Sequence, residues 1–256
     1  MFKNAIVRRP CKALIDGITS APELGKPDYE KAIRQHDDYI RALKETGVEV
    51  TVLDANEAYP DSCFVEDVAV LTSRCAIITN PGAATRKGEI GGIDTVIARF
   101  YTPDKIEKIE APGTLEGGDI MMVGDHFYIG LSARTNEEGA RQLTEALAKH
   151  GHTASIVPLE KVLHLKTGVN YIENNNMLVS GEFIEKPDFK AFNKIIIDDQ
   201  EAYASNCIWM NGTVIVPAGF PKAQKSVEDA GYKVIVVDTS EYRKVDGGLS
   251  CLSLRF

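Results

Sequence analysis

The chain is expected to be an α/β protein assembled from a repeated unit, a β-hairpin followed by a helix. Short β-branched segments alternate with segments of helical period along its whole length. The hairpin-then-helix order recurs at intervals of roughly 50 residues, a spacing that signals a radial or stacked array. Two copies also share acidic residues before the hairpin and an arginine after it.

The elements follow in order. Ala5–Val7 is a short apolar strand. Asp28–Thr46 is a helix, with apolar Ala32, Ile33, Tyr39, Ile40 and Leu43 near a 3.6 period and Gly47 at its end. Strands follow at Val48–Leu53, Val68–Thr72 and Ala76–Thr79, each β-rich and bordered by Gly, Asn or Asp. Lys87–Phe100 is read as a helix, Ile106–Glu110, Ile120–Val123 and His126–Gly130 as strands, and Glu137–His150 as a helix. Strands Ala154–Val157 and Asn176–Val179 precede a helix at Pro187–Phe192. Ile195–Ile197, Cys207–Asn211 and Thr213–Pro217 are strands, Pro221–Ala230 a helix, and Lys233–Val237 and Leu249–Leu254 the last strands.

The repeat runs through these elements. Glu66-Asp67 precedes one hairpin and Arg86 follows it; Glu116 and Asp119 precede the next and Arg134 follows. The hairpin around Gly212 repeats the order without the acids, and Asn176 opens a degenerate copy. Leu249–Leu254 pairing with Ala5–Val7 would close a fifth. If the units ring an axis, Glu66, Asp67, Glu116 and Asp119 share a mouth with Arg86 and Arg134.

Composition excludes several classes. The 256 residues suffice for one complete core, so 1–256 is read as a single domain. Hydrophobic residues at 44% and charged residues at 26% are ordinary for a globular protein, and no apolar run spans a bilayer. The opening Met1–Arg9 reads as a strand without a cleavage site, so a cytoplasmic protein is expected. A net charge of −8 with no basic run argues against nucleic acid as a partner. It suits a cationic substrate, and equally a solvated surface. The five cysteines form no CxxC pair, which disfavours disulfides and a zinc site. Cys75 and Cys207 lie in apolar surroundings, and Cys11 and Cys63 ask for no role.

Guanidinium hydrolysis would need carboxylates to hold the planar cation, a strong nucleophile and a proton donor for the departing amine. Asp61, Glu66 and Asp67 can supply the carboxylates, and an ordinary acidic turn would look the same. Cys251, after Gly247-Gly248, is placed at a strand's start with an accessible thiol, although the segment alone also admits a structural cysteine. In Leu163-His164-Leu165, strand alternation would turn His164 away from its apolar neighbours; it is an acid/base candidate or a satisfied core histidine.

Together the segments resemble the dimethylarginine dimethylaminohydrolases, especially bacterial ones, of the guanidino-modifying superfamily. The motifs are Phe64-Val65-Glu66-Asp67, Leu115-Glu116-Gly117-Gly118-Asp119, Gly130-Leu131-Ser132-Ala133-Arg134-Thr135-Asn136, Leu163-His164-Leu165-Lys166 and Val245-Asp246-Gly247-Gly248-Leu249-Ser250-Cys251, in family order along the chain. The resemblance implies a five-bladed α/β-propeller (pentein) of ββαβ-type units with pseudo-fivefold symmetry. It implies hydrolysis of N-omega-methylated arginines to citrulline and dimethylamine or methylamine through a covalent intermediate. Cys251 would be the nucleophile, His164 the acid/base, and Glu116 the carboxylate that orients His164. Glu66 and Asp67 would clamp the guanidinium, and Arg86 and Arg134 would bind the substrate carboxylate. Asp61, with the backbone carbonyls of Ile18 and Val245, would take the α-amine, and Phe64 would wall the alkyl chain. Asp119 is left without a role beyond bracing its turn.

The resemblance implies no cofactor and no metal. The expected partner is the small-molecule substrate, with neither nucleic acid nor membrane; a homodimer is compatible with the sequence. The competing expectation is a hydrolase or deiminase acting on arginine or hydroxyarginine. Lys166 stands where arginine deiminases carry an aspartate, which favours room for N-methyl groups. A non-catalytic member of the same architecture would lack Cys251, His164 and Glu116.

Overall fold

Five three-stranded sheets carry the chain, and all five have one pattern: an antiparallel pair, then a third strand parallel to the middle one. The computed structural model describes residues 1–256. In chain order the elements are β1 (Asn4–Arg8), α1 (Tyr29–Glu45), β2 (Glu49–Leu53), β3 (Ala69–Leu71), β4 (Ala76–Ile78), α2 (Ile93–Ile97) and β5 (Ile106–Lys108). Then come β6 (Ile120–Val123), β7 (His126–Leu131), α3 (Glu137–Lys149), β8 (Thr153–Pro158), α4 (Leu165–Gly168), β9 (Val169–Tyr171), β10 (Asn176–Val179) and β11 (Asn193–Ile196). The last are β12 (Ile208–Met210), β13 (Thr213–Pro217), α5 (Pro221–Asp229), β14 (Lys233–Val237), α6 (Ser240–Arg243) and β15 (Leu254–Arg255).

The chain divides into two compact units, Met1–Val65 with Gly168–Arg255 and Glu66–Thr167 with Phe256. The first holds three sheets, β15-β1-β2, β9-β10-β11 and β12-β13-β14; the second holds β3-β4-β5 and β6-β7-β8. The expected closing pair is present, with Ala5 opposite Arg255 and Ile6 opposite Leu254. The five-bladed α/β-propeller is therefore built from five like units, one of them completed by both termini. No helix is long and apolar enough to cross a membrane.

Local chemistry explains the main helices. Asp28 caps α1 by accepting the Lys31 amide, and the buried stripe Ala32, His36, Tyr39, Ile40, Leu43 packs among Leu14, Tyr242 and Leu252. Asn136 caps α3 through the Gly139 amide, and its Ala140, Leu143 and Leu147 pack on Ile77, Phe127 and Ile129.

Several expectations need correcting. The helix read at Lys87–Phe100 is two pieces, a 3-10 segment Ala84–Ile90 and α2, broken where Gly92 adopts a left-handed φ of 78°. Pro187–Phe192 contains only a single turn, Pro187–Phe189. The strand β9 went unrecognised. The C-terminal strand is two residues long, and Ser250–Leu252 before it is a 3-10 turn, so Cys251 sits on a turn and not on a strand. His164 likewise lies in a bend before α4, outside any strand.

One buried group on α1 makes stability depend on pH. His36 is fully buried, its Nε2 has no hydrogen-bond partner, and burial together with the nearby Arg9 cation pushes its pKa down to about 4. An unfolded histidine titrates near 6.5, so as pH falls from 6.5 toward 4 the unfolded chain takes up a proton that the folded chain refuses. Stability should be full above 6.5 and fall by about 3 kcal/mol at pH 4. Urea unfolding of wild type and His36→Leu across that window checks this; equal pH slopes would refute it.

Candidate active site

Each unit presents its own cluster of the expected residues. In the first, Cys251 is partly exposed, whereas the other four cysteines of the chain, Cys11, Cys63, Cys75 and Cys207, are all buried. Burial raises the Cys11 and Cys75 thiols and pushes Cys207 up to about 12, which leaves these three protonated and inert at neutral pH.

The turn that carries Cys251 is pinned at each step. The Cys251 amide donates to the Gly248 carbonyl at 3.2 Å, and the Gly248 amide points back at Sγ at 3.4 Å. Asn206 brackets Ser250, accepting its amide at 2.9 Å and donating to its hydroxyl at 3.1 Å. Tyr203 donates its hydroxyl to the Gly247 carbonyl and Tyr39 to that of Leu249. Phe64 explains why position 247 is glycine: a Cβ there would lie 2.2 Å from the Phe64 ring. That ring is 4% exposed and packs edge-on against Tyr242, so it supports the Cys251 turn from the core.

Asp61, Ile18 and Val245 also come together in this unit. The Ile18 amide donates to the buried Asp61 carboxylate at 3.0 Å. A Cβ on Gly17 would meet both Asp61 and the Val245 side chain within 3.1 Å.

The second unit gathers the remaining expected residues around His164. Its Nε2 lies 2.8 Å from Oε2 of Glu116, which is itself wholly buried. Gly118 makes room for the ring, since a Cβ there would stand 2.7 Å from Nδ1. Nitrogen and carboxylate atoms of His164, Glu116 and Asp67 all lie within 4.8 Å of one another. Burial alone would strip the imidazole of its proton. The Asp67 charge, the Glu116 hydrogen bond and the Asp119 charge overcome it and raise His164 to about 9. Burial would push Asp67 up, but the Arg86 and His164 cations and the Gly118 amide bring it down to about 2. At neutral pH the cluster is thus an imidazolium among carboxylates.

The two arginines differ. Arg134 donates to both oxygens of Glu116 at 3.2 Å and keeps 15% of its side chain exposed. Arg86 is buried, bonded to Asp67 at 2.6 Å and to both oxygens of Glu89. Its expected role toward a substrate carboxylate must therefore be shared with two protein carboxylates already holding it. Glu66, assigned to the guanidinium, is paired with the Lys166 ammonium at 2.5 Å. Glu89, Asn206 and Tyr203 were missed, having no motif of their own; their Arg86, Ser250 and Gly247 partners become visible only in space.

Asp67, Glu116 and His164 form the one set with metal-ligand spacing. A divalent cation there would have to displace the His164 proton and compete with Arg86 for Asp67. As built, the set is charge-satisfied by protein cations.

The chain is similar to known proteins along its length. The family profile described as N,N dimethylarginine dimethylhydrolase, eukaryotic, matches residues 25–249. A Pseudomonas aeruginosa N(G),N(G)-dimethylarginine dimethylaminohydrolase is 60% identical over 256 residues, covering 100% of both chains. A Streptomyces coelicolor protein of the same name is 34% identical, covering 99% of this chain and 96% of its own. The solved Pseudomonas aeruginosa structure, a cysteine-to-serine mutant complexed with citrulline, superposes with a TM-score of 0.98 at 60% identity over 100% of both chains. The N-terminal domain of ArgZ shares the fold, with a TM-score of 0.87 at 17% identity over 98% of this chain and 97% of that one.

Proposed function

We infer that this chain, which belongs to the dimethylarginine dimethylaminohydrolase family, hydrolyses N-omega-methylated arginines to citrulline and the corresponding methylamine through a covalent intermediate on cysteine. What carries the assignment is the buried imidazolium of His164, bonded to Glu116 beside Asp67, in a chain with one partly exposed thiol.

The roles follow from the chemistry. The Cys251 thiolate adds to the guanidinium carbon, and His164 gives its proton to the departing dimethylamine or methylamine. The resulting S-alkylthiouronium is attacked by water, whose proton goes to the now neutral imidazole. Collapse expels the thiolate, the remaining hydroxyl proton passes to solvent, and citrulline is left with the water oxygen as its ureido oxygen. Glu116 keeps the imidazole charged and oriented. Asp67, held ionised, attracts the substrate cation.

Arg134, the more accessible arginine, takes the α-carboxylate, with the buried Arg86 guanidinium adding its positive charge behind it. Asp61, with Ile18 and Val245, takes the α-amine. Phe64 bounds the alkyl chain through the turn it supports, and Glu66 meets the guanidinium end with its charge offset by Lys166. No cofactor or metal takes part in this scheme. The whole chain serves as one catalytic domain in the cytoplasm, and the reaction calls for neither nucleic acid, membrane nor a homodimer.

The test is direct. Purified protein is incubated separately with asymmetric dimethylarginine, monomethylarginine, arginine and agmatine, and citrulline and amines are measured. The methylated substrates should give citrulline with kcat/KM well above that for arginine. Arginine turned over as well as dimethylarginine would move the assignment to a deiminase, and agmatine turnover would remove the carboxylate contact.

A further inference from the structure

Asp119 is a wholly buried carboxylate whose hydrogen-bond donors are all neutral. Such a group is costly to bury, because no bonded cation offsets the water it has lost. Its bonds show what it does. Oδ1 accepts the Leu165 amide at 3.0 Å, the residue immediately after His164. Oδ2 accepts both the Ser132 hydroxyl at 2.7 Å and the Thr135 hydroxyl at 2.6 Å, the two residues that flank Ala133-Arg134.

The same hydroxyls pass the order onward. With its proton committed to Asp119, Thr135 Oγ1 has lone pairs free and accepts the Glu116 amide at 3.2 Å. Ser132 Oγ likewise accepts the Arg134 amide at 3.0 Å and the Thr135 amide at 3.2 Å. A carboxylate is an acceptor only, so it fixes the direction of every bond in this chain. A neutral replacement leaves the hydroxyl directions undetermined.

We propose that Asp119 is the positioning residue for the reaction: one buried carboxylate that ties together the segments bearing His164, Arg134 and Glu116. It touches none of the reacting atoms in this role and acts through the backbone and hydroxyls of its neighbours. Its charge also contributes to keeping His164 protonated. The proposal rests on the hydrolase reading above and adds to it the group that holds the proton donor in register with the carboxylate-binding arginine.

The experiment compares full-length wild type, Asp119→Asn and Asp119→Ala by thermal melting, by kcat, KM and pH profile on asymmetric dimethylarginine, and by NMR titration of the His164 imidazole. Asp119→Ala should lower kcat roughly 100-fold, the scale expected for a misplaced catalytic group, and should raise KM as Arg134 loosens. Asp119→Asn can still accept the Leu165 amide and donate to hydroxyls turned round. It should therefore recover most of the KM while the His164 titration and the basic limb of kcat/KM move to lower pH.

Variants that match wild type in kcat, KM and His164 titration would overturn the proposal. So would losses that merely track a lower melting temperature while the His164 titration stays in place. A wild type that makes no citrulline would instead refute the hydrolase reading; the NMR titration would then still decide whether Asp119 governs His164.

Discussion

Replacing Cys251 by serine is expected to abolish citrulline formation, with kcat lowered by about 10⁴-fold or more. The attack needs an anion, and a thiol reaches that state near neutrality far more readily than a hydroxyl does. Nothing else in the turn can substitute. The other four cysteines are buried, and Ser250 is bound on both sides by Asn206. The substitution should leave the fold intact, because Cys251 is partly exposed, the turn is held by Asn206, Tyr203 and Tyr39, and a serine hydroxyl can still accept the Gly248 amide. A variant that melts with wild type yet makes no citrulline is the expected outcome. Retention of more than a few per cent of activity would mean that the covalent step runs elsewhere. Asn206→Ala is a useful companion, since it leaves the thiol in place while removing the bracket on Ser250.

Much of this was legible because strands and guanidinium chemistry both leave local marks. Ile120–Val123, Asn176–Val179, Thr213–Pro217 and Lys233–Val237 coincide with β6, β10, β13 and β14 at both ends, each an apolar run with a polar or glycine border. The strand Val169–Tyr171 left no such mark. It has three residues with Asn170 in the middle, and it is a strand because Leu178 stands opposite that asparagine. His164 misled for a related reason: Leu-His-Leu alternates for only three residues, too short a run to tell a strand from the approach to a helical turn.

In the candidate site, the chemical groups could be nominated because few residue types can perform each step, but their partners could not. Lys166 registers in the sequence as the absence of a deiminase aspartate. In space it is a buried cation on Glu66, a pair separated by 100 positions that no periodicity links. Glu89, three residues from Arg86 on a turn, is likewise indistinguishable in sequence from a surface acid until burial shows otherwise. The repeat was read as placing acids and arginines at a shared mouth, and it did not foresee that two of these acids would hold the arginines directly. Asp67 meets Arg86 and Glu116 meets Arg134, whereas Glu66 meets Lys166 and Asp119 meets no cation.

Glu116 has two cationic partners, Arg134 and His164, and Glu116→Gln should therefore have the second large effect. The carboxylate holds His164 Nε2 with one oxygen, takes the Ala83 amide with the other, and is bonded by Arg134 through both. A glutamine of the same shape can keep its oxygen toward Arg134 and Ala83 only by turning its NH₂ to His164. An imidazolium nitrogen cannot accept that donor, so the ring is driven to its neutral form. The leaving amine then loses its proton source, and kcat should fall by about 10²- to 10⁴-fold.

The pH profile carries the sign. In wild type His164 titrates at about 9, so kcat/KM should hold on its basic side up to that pH and fall beyond it. In Glu116→Gln the basic limb should move well below 9. Stability follows the same linkage. A histidine raised above its unfolded value stabilises the fold fully below about 6.5, and that contribution disappears as pH rises through the folded value. Wild type should thus lose stability between about pH 6.5 and 9 through this group, and Glu116→Gln should lose less over the same interval. A variant with the wild-type basic limb and the wild-type stability slope would show that Glu116 does not control the protonation of His164, and the proton donor in the first step would have to be sought in another residue.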